Sequence, residues 1–189
     1  MATSSARSAS SGRIVSSATG RFVSKARSVR DGGTRVRTTG SRPTARRTPP
    51  RYLIDNSVWA RLSTDPEVVV ALKQLLDLAN PEDVLICPPI AAEVGFSARN
   101  GADHTALMEQ LTAFTECPEH PASAEVMEIQ NKLWNSGLLR AAGAMDTIIA
   151  AYALTNDAIL VHYDRDYDHI ASVMPAFRHQ WIAPRGSLS

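Results

Sequence analysis

Five carboxylates stand where packing would favour apolar side chains. Asp55 ends the apolar run Tyr52-Leu53-Ile54 and is followed at once by Asn56-Ser57, which open a helix. Glu93 lies among Ile90, Ala91, Ala92, Val94 and Phe96, and Asp146 opens the run Thr147–Leu154, which is apolar nearly all round. Asp164 and Asp166 follow the apolar run Ala158–Val161. Singly, each has an ordinary explanation. Asp55 caps a helix, Asp146 is an acid suited to a helix N-terminus, Glu93 is an exposed helix residue, and Asp164, Asp166 and Asp168 form a solvated loop. Jointly they have another. If the strands at 52–54, 84–87 and 158–161 are parallel, their carboxyl ends share one edge of a sheet, where ligands bind in such folds. Carboxylates gathered there repel and raise one another's pKa, so the cluster needs a cation. An oxygen-only donor set favours Mg²⁺ or Mn²⁺ over Zn²⁺.

The elements that must position these acids alternate between helix and strand. A strand at 52–54 precedes a short helix from Asn56 to Leu62. Thr64-Asp65-Pro66-Glu67 reads as a capping box with Pro in the first turn. Val68, Leu72, Leu75, Leu76 and Ala79 then recur at helical spacing as far as Asn80-Pro81. Val84–Cys87 reads as a strand, Ile90 to about Arg99 as a helix carrying Glu93, and Asp103 to Phe114 as an amphipathic helix. A short strand at 115–117, a long helix from Ser123 to Trp134, the buried helix 147–154, the strand 158–161 and a last strand at 180–182 complete the order. This alternation predicts a three-layer α/β/α fold with a short, mostly parallel central sheet.

Charge divides the 189-residue chain in two. Residues 1–50 hold ten Arg and one Lys against the single Asp31, a net +10, so within the overall +1 the remainder carries −9. Too few large apolar residues lie in 1–50 to offset the entropy of ordering them, and a disordered basic tail is expected there. Ser11-Gly12-Arg13-Ile14-Val15-Ser16 is echoed by Thr19-Gly20-Arg21-Phe22-Val23-Ser24, a pattern open to hairpin pairing or to a partner's sheet edge. An Arg- and Ser-rich segment poor in acids also resembles an organellar transit peptide. The two cysteines, Cys87 and Cys117, have no metal-binding spacing, and a reducing cytoplasm fits best. No apolar run approaches the roughly 18 residues of a membrane helix.

Four stretches carry a family resemblance. Ile54-Asp55-Asn56-Ser57, Ala92-Glu93-Val94, Met145-Asp146-Thr147-Ile148-Ile149-Ala150-Ala151 and His162-Tyr163-Asp164-Arg165-Asp166-Tyr167-Asp168-His169-Ile170-Ala171 resemble the successive motifs of the PIN domain. More narrowly, they resemble VapC toxins of bacterial toxin–antitoxin pairs. The likeness covers about 51–185, leaving a four-residue C-terminal tail, and residues 1–50 lie outside it. It implies an Mg²⁺- or Mn²⁺-dependent ribonuclease, usually dimeric, inhibited by a VapB-like antitoxin that reaches into the acidic site. By position, Asp55, Glu93, Asp146 and Asp164 match the family's four acids, Asp166 a fifth and more variable one, and Ser57 a Ser/Thr near the metal and scissile phosphate. Asp55, Asp146, Asp164 and Asp166 would then be metal ligands.

Several other residues invite a role. Arg99, Arg140 and Arg165 could draw the RNA backbone to the cleft, and Tyr163 and Tyr167 could stack bases. His162, His169, Cys87, Trp59 and Trp134 read as packing residues. A receiver domain would need a Lys after its last strand, and Lys73 and Lys132 both lie on expected helices. A haloacid-dehalogenase-type phosphatase would need a second acid at position 57, where Ser57 stands. A PIN fold that binds RNA or assembles without cutting is the alternative that the acids alone leave open.

Overall fold

The computed structural model describes residues 49–188. The expected basic tail, its hairpin-like echo and its transit-peptide likeness lie outside these residues. Five strands form one sheet in the order β3-β2-β1-β4-β5. They are β1 Arg51–Ile54, β2 Val84–Ile86, β3 Thr115–Glu116, β4 Ala158–His162 and β5 Arg178–Trp181. Every pairing is parallel; β1 meets β4 with Leu53 opposite Leu160, and β4 meets β5 with His162 opposite Trp181.

Seven helices connect them among the described residues: α1 Asn56–Trp59, α2 Pro66–Leu78, α3 Pro88–Phe96, α4 Gly101–Leu111, α5 Ser123–Asn135, α6 Ala144–Thr155 and α7 Asp166–Val173. Successive strand residues face opposite sides, and the core is split accordingly. Leu53 and Leu160 join Ile90, Ile149, Tyr167 and Ile170 in one cluster, whereas Ile54 and Val161 join Val58, Val68 and Leu72 in the other. Helices on both faces of a parallel sheet are the three-layer architecture the sequence implies.

Two local expectations are corrected. The first helix stops at Trp59, and i→i+3 turns such as Arg61 N–H to Val58 carbonyl follow. The segment 64–67 is no capping box. Pro66, with φ preset and no N–H to satisfy, takes the first helical position and shifts the N-cap to Asp65, whose side chain makes no capping bond.

From β1 the chain runs outward through β2 to β3, then crosses back to lay β4 on the other side of β1. The connections leaving β1 and β4 therefore diverge. The edge outside their carboxyl ends is the place where open α/β sheets bind ligands. Asp55 follows β1 and Asp164 follows β4, so both stand at that edge.

Candidate metal-dependent active site

Asp55 is the most constrained of the acids. It sits at the N-cap of α1, only 5% exposed, with Oδ2 accepting the Ser57 N–H at 2.8 Å and Oδ1 accepting the Tyr167 hydroxyl at 2.7 Å. Its own N–H joins the Val161 carbonyl, tying the turn to β4. The capping reading of this Asp therefore holds. The Ser57 hydroxyl accepts the Tyr163 N–H at 2.9 Å and so clamps the β1 and β4 connections together.

The remaining acids come from three other segments. Asp146, half-buried near the start of α6, accepts the Gly143 N–H at 2.8 Å. A Cβ on Gly143 would lie 2.8 Å from the same Asp146 oxygen, so a side chain there would push the carboxylate aside. Glu93 is half-buried on α3. Asp164 Oδ1 accepts the Asp166 N–H at 3.0 Å, which folds the acid pair into the start of α7. The solvated-loop reading of 164–168 is thereby corrected: Asp166 and Asp168 lie in the first turn of that helix.

Glu93, Asp146 and Asp166 each feel the charge of other acids in the set. Burial, then the charges of Asp55 and Asp146, hold Glu93 above its usual pKa. Asp146 is raised by burial, against the lowering effect of the Gly143 N–H, and further by Asp55, Asp164 and Asp166. Asp166 is raised by burial and by Asp164, partly offset by His169 and Arg165. Among the described residues none of the five acids forms an ion pair with Lys, Arg or His. An uncompensated oxygen-donor cluster of this kind suits a hard divalent cation.

The expectation that Tyr167 stacks bases is corrected by its burial. It is wholly buried, with its ring 4.8 Å from that of His162 and 6.2 Å from that of Phe177. Tyr167 and Ile170 are the buried residues of α7, and helical spacing with Ala171 and Met174 was the signal available in the sequence. Burial and the charges of Asp55 and Asp146 push its phenol far above the ordinary value, so it is an O–H donor. Tyr163 is half-buried, under the Arg61 guanidinium at 4.7 Å and with its hydroxyl accepting the Leu188 N–H. Of the arginines, Arg165 is exposed at the N-cap of α7, while Arg99 pairs with Asp103 at 3.1 Å.

Behind the acids lies a set of polar side chains that the sequence did not single out as a unit. His162, wholly buried, accepts the Asp164 N–H on Nδ1 at 3.1 Å, so its proton is on Nε2, facing His179 Nδ1 at 2.8 Å. Burial and His179 lower its pKa to about 4. Asp168 accepts Trp181 Nε1–H at 2.9 Å and Arg185 at 3.1 Å. Donor atoms of His162, Asp168 and His179 lie within 4.8 Å of one another. A metal on His162 Nε2 would demand an imidazolate, because Nδ1 already accepts an amide. The group is a hydrogen-bonded brace rather than a metal centre.

The PIN domain family model matches residues 52–173. The chain is 35% identical to Ribonuclease VapC51 of Mycobacterium tuberculosis over 73% of its own length and 97% of the relative's. It is 28% identical to Ribonuclease VapC18 of the same species, over 72% and 98%. In fold it is similar to a DNA-bound VapBC from Salmonella typhimurium, at TM-score 0.56 and 15% identity over 71% of this chain and 99% of that one. A VapBC-1 structure from nontypeable Haemophilus influenzae gives TM-score 0.55 at 19% identity, over 69% and 97%.

Proposed function

The chain belongs to the PIN domain family, and from that premise we propose that it is a divalent-metal-dependent endoribonuclease, the toxin of a VapBC-like toxin–antitoxin pair. Its nuclease domain in this reading spans 51–185. The observation that carries it is the convergence of acids from four separate segments, with no cation paired to them among the described residues. Relatives named as ribonucleases, matched over nearly their whole length, support the same reading.

Asp55, Asp146 and Asp164, with Asp166, would hold Mg²⁺ or Mn²⁺, for which their oxygen donors and unbalanced charge are suited. Bound there, such an ion would offset charge on the phosphate and make water a better nucleophile. Glu93, on α3, would join the ligand set or orient the attacking water. The water oxygen bonds to phosphorus as the P–O3′ bond breaks. The departing O3′ takes a proton from solvent, leaving a 5′-phosphate and a 3′-hydroxyl. Ser57 holds the β1 and β4 connections together, and the exposed Arg165 would meet a backbone phosphate. The same acids would receive a basic side chain from a VapB-like antitoxin, and the working unit would be a homodimer.

Cleavage of labelled RNA by the full chain tests this. It is expected with Mn²⁺, absent with EDTA and lost in Asp55→Asn. RNA bound but uncut by the folded, Mn²⁺-loaded protein would replace the nuclease with an RNA-binding module.

A further inference from the structure

Asp55 and Asp146 are held differently. Asp146 is fixed at one oxygen, by the Gly143 N–H. Asp55 is fixed at both: Ser57 N–H on Oδ2 and the Tyr167 hydroxyl on Oδ1. The backbone donor is what any Asp N-cap receives. The phenol is not. It reaches Asp55 from α7, 112 residues along the chain, and its ring is held between those of His162 and Phe177 with no exposed surface.

We infer that Tyr167 is a positioning residue for the cation site, holding the Asp55 carboxylate in one rotational setting so that its remaining lone pairs face the other acids. Two donors, one per oxygen, stop rotation about the Cβ–Cγ bond, which a single N-cap bond would leave free. Each carboxylate oxygen has two lone-pair sites, so one on each stays open for a cation. A neutral donor suits the task. It satisfies a buried oxygen without cancelling the charge that a cation requires, whereas a Lys or Arg at 167 would compete with the ion. Partners that orient a metal ligand in this way typically govern affinity or activity by about 10- to 100-fold.

The inference rests on the nuclease reading, and its test separates the two. Tyr167→Phe keeps the ring and removes one oxygen. Mn²⁺ binding by the full chain is measured by calorimetric titration, alongside kcat and KM on labelled RNA and the melting temperature. Expected are a Mn²⁺ Kd raised about tenfold, a lower kcat at limiting Mn²⁺ that recovers with excess metal, and an unchanged KM for RNA. Wild-type Mn²⁺ affinity in Tyr167→Phe overturns the inference and leaves the nuclease reading standing, even if the melting temperature falls. No Mn²⁺ binding by the unmodified chain overturns both.

Discussion

Two groups of polar side chains flank the segment that leaves β4, and they are built on opposite principles. In the brace, His162, His179, Asp168, Trp181 and Arg185 satisfy one another, donor to acceptor, around a buried neutral imidazole. In the cleft, Asp55, Glu93, Asp146, Asp164 and Asp166 have backbone or phenol donors at best, and burial together with their charges raises the pKa of Glu93, Asp146 and Asp166. One group spends its polar atoms on holding the fold. The other keeps an unbalanced charge in place, and the first is what holds it there: the Asp164 N–H rests on His162. Buried polar groups that stabilise are those whose partners lie within the protein. Those whose partners lie outside it mark function.

Breaking the brace should cost the most stability. His162→Ala removes a fully buried ring and its hydrogen bonds, and a loss of about 3 kcal/mol is expected from the cavity and the orphaned partners. Urea unfolding measures it, and a loss below about 1 kcal/mol would mean the brace is not structural.

Acid should pull the two groups in opposite directions in metal-free protein. His162 binds its proton less readily folded than unfolded, near 4 rather than 6.5. Its contribution is complete above 6.5 and is lost as pH falls towards 4. Glu93 and Asp146 are shifted the other way, so their ionisation destabilises the fold as pH rises through their raised values, and acid relieves it. Melting from pH 7 to 4 in EDTA, compared between the unmodified chain and Glu93→Gln, should show the acid-side gain reduced in the variant. An identical pH profile would deny the shared charge.

Arg185→Ala is the smallest expected effect. Its side chain is 63% exposed where it meets Asp168, and such pairs contribute about 1 kcal/mol or less. Trp181 still satisfies Asp168, so cleavage should be unchanged; a tenfold loss would make Arg185 more than a rim contact.

The contrast also explains what was legible in the sequence. The cleft acids could be read because each stands inside or beside an apolar run, where topology alone decides its neighbours. The brace could not, since His162 meets Trp181 only through the parallel register of β4 and β5, and nothing in either segment's composition fixes that register. The burial of Tyr167 is hidden for a related reason. Flanked by Asp166 and Asp168, it looks solvated until the helix places it beside Ile170 on the inner face. The α2 start lies one residue later than the capping pattern implies because Pro66 has a stronger claim on the first helical position than Thr64 has on the cap.

Whether the cleft is a charge cluster awaiting a cation is tested most directly by melting Asp146→Asn beside the unmodified chain, in EDTA and in Mn²⁺. Asparagine keeps an acceptor for the Gly143 N–H and removes the charge that burial, Asp55, Asp164 and Asp166 oppose. The variant should melt higher than the unmodified chain in EDTA, and the order should reverse in Mn²⁺, where only the full acid set binds metal well. A variant that melts lower in both conditions by the same amount would contradict the cation site, leaving Asp146 a helix-start residue and nothing more.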